Sequence, residues 1–134
     1  MTERPVIDGP DTPRCSHGTH PERPPFVAPA ETTLAVAAAM LRAAGDPARL
    51  RLLLRLAEGP RCVTELADAE GEKLATVSAR LQLLHAARLV SRRRAAKHIH
   101  YALADEHVAR LLRDILDHAA EDVRPVTTYE GASA

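Results

Sequence analysis

Four side chains near the end of the chain carry the most chemistry: Asp105, His107, His118 and Glu121. All are oxygen or imidazole donors of the kind that bind a zinc-like ion. They cannot meet within one helix. At about 1.5 Å rise per residue, His107 and His118 are separated by roughly 16 Å along a helix axis, far beyond a metal–ligand bond. Eleven residues is nevertheless close to three full turns, so both imidazoles emerge on nearly the same side. Two such helices lying antiparallel in a symmetric dimer would bring Asp105 and His107 of one chain against His118 and Glu121 of the other, giving two equivalent four-ligand sites across one interface. Taken singly, each donor has a plain structural reading, with Asp105 as a helix N-cap and the others as solvated residues. Their mutually consistent spacing favours a metal.

The segment that must position these donors is a helix over 105–122. Val108, Leu111, Leu112, Ile115 and Ala119 form an i, i+3, i+4, i+7 stripe along it that needs burial, which supports a helix-to-helix interface. Upstream, residues 31–44 read as an Ala-rich helix with Leu34, Ala38 and Leu41 on one side. Gly45 and Asp46 end it, Pro47 opens a second helix over 48–58, and Gly59-Pro60 stops that in turn. A short third helix over 62–69, a turn at 70–72 and a fourth helix over 74–87 follow, with Leu74, Val77, Leu81 and Leu84 expected in the core. Alternating segments over 89–94 and 98–103 around Ala95-Ala96-Lys97 predict a hairpin. The fold class is therefore mainly α with a small β-hairpin: a winged helix-turn-helix, made a homodimer by its terminal helices. Residues 1–29, with seven of the ten prolines, read as a flexible arm, residues 30–122 as the DNA-binding and dimerisation domain, and 123–134 as a flexible tail.

At 134 residues with 2% aromatics, the chain is one small domain whose interior must be built from Leu, Ala and Val. No apolar run approaches the roughly 20 residues needed to span a bilayer, and no secretory pattern opens the chain, so a cytoplasmic location is expected. Formal net charge is zero, but the average hides a separation. From Lys73 to His100 there are seven basic residues and no acidic one. Such a local surface attracts phosphates whatever the total charge. Thr76, Ser78, Arg80 and Gln82 are expected to point outward from the fourth helix toward base edges and phosphates, while Arg92, Arg93, Arg94 and Lys97 of the hairpin grip flanking backbone. Double-stranded operator DNA is the expected partner.

Several stretches taken together resemble the ArsR/SmtB family of metal-sensing winged-helix repressors. These are Gly45 to Leu53, Cys62-Val63-Thr64-Glu65-Leu66-Ala67, Val77-Ser78, Leu81, Leu84, Ala87-Arg88-Leu89-Val90 and the Tyr101 hairpin. The resemblance covers about residues 30–122. It implies a homodimer that holds operator DNA when metal-free and releases it on binding metal, with zinc held by Asp105, His107, His118 and Glu121. It also implies a second site, as in some members, where Cys62 and Glu65 join arm donors, here Cys15, His17 and His20. One departure concerns DNA preference, since many relatives place His after the Val-Ser pair and this chain has Ala79 followed by Arg80.

Mixed oxygen and nitrogen donors favour Zn2+, with Co2+, Ni2+ or Cd2+ as alternatives. Competing readings are a redox-responsive repressor using Cys15 and Cys62, and a zinc buffer or trafficking protein built on the Cys/His arm. A zinc hydrolase is disfavoured because four protein ligands close the site and no nucleophile–base pair accompanies it. The chain is not expected to be an enzyme.

Overall fold

The computed structural model describes residues 24–123. Five helices and three short strands follow in the order α1 (Glu31–Ala44), α2 (Pro47–Ala57), β1 (Arg61–Cys62), α3 (Val63–Glu70), α4 (Leu74–Ala86), β2 (Val90–Ala95), β3 (His98–Leu103) and α5 (Glu106–Asp122). The strands form one antiparallel sheet in the order β1-β3-β2.

Local chemistry sets the boundaries. Asp46 is the N-cap of α2, its carboxylate accepting from the Arg49 N–H at 3.0 Å, and Pro47 occupies the first turn where a missing N–H costs nothing. The Arg49 side chain reaches back across the same corner, its Nε donating to the Ala43 carbonyl at 2.7 Å, which fixes the angle between α1 and α2. Helix α3 ends at Gly71 with φ 63°, where a residue without Cβ closes the turn. There the Glu72 N–H reaches the Ala67 carbonyl at 3.0 Å, so α4 starts almost at once. Arg51 and Arg55 both bind the nearly buried Glu70 carboxylate, at 3.2 and 2.8 Å, and tie α2 to the end of α3.

The core is aliphatic. Leu52, Leu53 and Leu56 of α2, Leu66 of α3 and Val77, Leu81 and Leu84 of α4 pack together with Leu89, Val90 and Tyr101 of the sheet. Val108 and Leu112 join them from α5.

Two expectations change. Strand β1 was not expected: Cys62 lies in it rather than in the third helix, pairing with His100 while Arg61 pairs with Tyr101. A two-residue strand has no periodicity to reveal it. Leu74 was expected in the core but is 53% exposed, because it begins α4 beyond the reach of α2. Replacing Leu81 by Ala is expected to cost about 2–5 kcal/mol in urea unfolding. Leu74→Ala is expected to change stability by under about 0.5 kcal/mol.

Candidate functional site

Asp105 is the N-cap of α5, its Oδ1 accepting from the Val108 N–H at 3.1 Å. The same oxygen lies 3.5 Å from His107 Nδ1, so the imidazole is oriented with its Nε2 edge away from the carboxylate. Capping through one oxygen leaves a carboxylate a second for another partner, so the structural and ligand roles of Asp105 are compatible. His118 and Glu121 stand exposed on the last turns of the same helix. One chain therefore carries Asp105 and His107 at one end of α5 and His118 and Glu121 at the other. Among the described residues, no three His, Cys, Asp or Glu side chains stand close enough to hold one ion.

The apolar stripe of α5 is divided. Val108 and Leu112 enter the chain's own core, while Leu111 and Ile115 remain 47% and 52% exposed. Exposed Leu41 of α1 lies alongside, and a groove of about 320 Å³ between the two helices is lined by Met40, Leu41, Val108 and Leu111 together with Arg88, Asp105 and His107.

Cys62 and Glu65 do meet. They form a capping box at the start of α3: the Cys62 sulfur faces the N–H of Glu65, and Glu65 Oε1 accepts from the Cys62 N–H at 3.1 Å. These bonds, from the backbone N–H first and then the thiol, hold the Glu65 carboxyl below its ordinary value of 4.5, with Arg61 and His100 adding a smaller positive influence. The i, i+3 spacing thus has a structural cause of its own. His100 is paired with Cys62 across the sheet, a neighbour that only the pairing of β1 with β3 brings there. Cys15, His17 and His20 lie outside the described residues.

On α4 the buried line Val77, Leu81, Leu84 turns Ala75, Ala79 and Gln82 fully outward, and leaves Thr76 and Ser78 half-buried on the flanks. Arg80 does not extend freely as expected: its Nη1 lies 3.3 Å from Glu72 Oε1. The Asp46 carboxyl is lowered chiefly by the Arg49 N–H it accepts from, and Arg80 adds the least of the influences on it. Arg92, Arg93 and Arg94 are exposed on β2, and Lys97 is exposed in the two-residue turn that Ala96 makes with φ 56°. None of the described ion pairs engages these four cations. Adjacent strand residues project to opposite faces, so Arg92 and Arg94 share one side of the wing and Arg93 takes the other.

Helices α3 and α4 joined by a tight turn, followed by a basic hairpin, define a winged helix-turn-helix transcriptional regulator, not an enzyme. The family model described as bacterial regulatory protein, arsR family, matches residues 46–92. The chain is 35% identical over 133 residues to the HTH-type transcriptional repressor SmtB of Mycobacterium tuberculosis, covering 87% of this chain and 98% of that one. It is 37% identical over 103 residues to the transcriptional regulator NmtR of the same organism, covering 77% and 86%. Among solved structures, a homodimeric winged helix-turn-helix DNA-binding domain from Mycobacterium bovis superposes with TM-score 0.67 at 33% identity, covering 74% of this chain and 94% of that one. The solution structure of apo-NmtR superposes with TM-score 0.61 at 34% identity, covering 84% and 95%. This chain belongs to the arsR family of bacterial regulatory proteins.

Two measurements check these surfaces. A carboxyl held below its ordinary value stabilises the fold above that value and stops doing so as pH falls through the lowered one. Glu65→Gln is therefore expected to lower the unfolding midpoint at pH 7, and the difference from the native protein should shrink as pH falls below the ordinary value of 4.5. Replacing Arg92, Arg93 and Arg94 by Ala should weaken binding to all duplex sequences alike and flatten the salt dependence, each lost phosphate contact removing about 0.9 from the log–log slope.

Proposed function

We propose that this protein is a metal-responsive transcriptional repressor that acts in the cytoplasm, binds operator DNA as a homodimer when metal-free, and releases it on binding Zn2+. One observation carries the reading. Helix α5 holds Asp105 and His107 together at one end and His118 and Glu121 at the other, on a helix whose own chain leaves Leu111 and Ile115 uncovered. A second copy packed antiparallel would cover those residues and unite the two half-sites. The homodimeric state of the related Mycobacterium bovis domain supports that assembly.

The four ligands would supply two carboxylates and two imidazoles, a donor set suited to a closed structural ion with no position left for substrate. Their effect would reach DNA through short connections. The Ala104 N–H, immediately before Asp105, donates to the Leu89 carbonyl at 3.0 Å, and the Leu89 N–H donates to the Leu84 carbonyl of α4 at 3.0 Å. Moving the start of α5 therefore pulls on the end of the recognition helix. Two recognition helices must match half-sites about 34 Å apart, so a small change in their spacing costs affinity.

Cys62, Glu65, Cys15, His17 and His20 form the proposed second site, with Cys62 and Glu65 supplied by the α3 capping box. Redox control through Cys62 has less support, because its sulfur is buried and engaged in that box. Base contacts are assigned to Thr76, Ser78 and Gln82, and backbone contacts to Arg92, Arg93, Arg94 and Lys97. Arg80, turned toward Glu72, is the weakest member of that set.

Titrating Zn2+ into the protein–DNA complex should lower DNA affinity by about 5–150-fold, the range of a typical coupling free energy, and DNA should weaken Zn2+ binding by the same factor. His107→Ala combined with His118→Ala should leave metal-free DNA binding intact and abolish the release. Release that persists in the double variant would remove α5 as the regulatory site.

A further inference from the structure

The face that α4 turns to solvent is nearly bare of hydrogen-bonding groups where base contact is expected. Ala75 and Ala79 are exposed one turn apart, and Leu74 beside them is 53% exposed. Thr76 and Ser78 stand half-buried to either side, and Arg80 is held by Glu72 at 3.3 Å. Leu74 and Ala75 continue into a shallow groove of about 390 Å³ toward the wing, where exposed Ile99 adds another apolar surface and Lys97 a charge. Gln82 is the exposed polar side chain on the same face, one turn beyond Ala79.

This methyl-bearing patch sits inside the stretch from Lys73 to His100 that contains no acidic residue, with Lys97 lining the same groove and Lys73 immediately before Leu74. A lone apolar patch on a surface would fit many occupants. One edged by a cation, in a segment free of carboxylates, fits a polyanion that itself carries apolar groups. Base edges are met by the N-terminal residues of a recognition helix. Every base pair presents polar groups in the major groove, but thymine alone adds a methyl group, the one feature there that alanine and leucine can pack against.

We propose that Leu74, Ala75 and Ala79 select operator half-sites by packing on thymine C5-methyl groups, with Gln82 reading an adenine on the same face through its amide. The inference rests on the DNA-binding part of the proposed function and names the base class that this surface accepts. Selectivity arises from fit to a methyl group, with Gln82 adding the one amide contact.

The test uses the full-length metal-free protein. Duplexes it selects from a random-sequence pool are expected to carry A·T pairs at the half-site positions nearest α4. Resynthesising a selected duplex with deoxyuridine for every thymine removes only the C5-methyl groups, and binding is expected to fall about four-fold for each methyl packed on the helix. The Leu74→Ser, Ala75→Ser, Ala79→Ser triple variant, altered at exposed positions and checked for native helical content, should bind the two duplexes alike. Equal affinity of the native protein for both duplexes, or discrimination that survives in the triple variant, overturns the thymine reading while leaving the repressor standing. Loss of salt-sensitive binding to both forms overturns the two together.

Discussion

Everything in the fold depends on how α4 is seated on α2. Val77, Leu81 and Leu84 are wholly buried against Leu52, Leu53 and Leu56, and with aromatics at 2% of the chain no large ring is at hand to fill a gap if the helix rotates. Close-packed branched side chains permit one rotation of α4 about its axis. That rotation decides which residues meet solvent. It faces Ala75, Ala79 and Gln82 outward, keeps Thr76 and Ser78 at the margins, and leaves Leu74 past the edge of the core.

The same core also limits what α5 keeps for itself. Only Val108 and Leu112 find places in the chain's own interior, and the other half of the apolar stripe is left for a partner surface. A helix so divided has only half of its apolar stripe covered by its own chain. The hydrogen bond from Ala104 to Leu89 places the residue before Asp105 two backbone hydrogen bonds from Leu84 of α4. Arg88, with φ 63° just past the end of α4, lines the same groove as Asp105 and His107.

Charge is distributed with equal economy. Arg51 and Arg55 are engaged by Glu70, Arg61 by Glu58 and Arg80 by Glu72, while the wing arginines are left without carboxylates among the described residues. A chain of zero net charge thereby keeps four cations without carboxylate partners together on the wing, Arg92, Arg93, Arg94 and Lys97. Such a surface draws phosphate through long-range attraction and leaves base discrimination to the short-range contacts of α4.

The sequence by itself determined the long helices, their order, the tight turns at Gly45–Pro47 and Gly59-Pro60, the hairpin, and the spacing of donors along α5. These are local properties: helical periodicity, missing N–H groups at proline and a three-turn separation need only neighbouring residues to be read. Tertiary structure alone decided the pairing of β1 with β3, which sets His100 beside Cys62, and the capture of Arg80 by Glu72. It also decided that Leu74 lies outside the core and that the α5 stripe is split between two surfaces. Each of these depends on which distant element occupies the space next to a residue, and a pattern of apolar spacing says that a side chain needs cover without saying what will supply it.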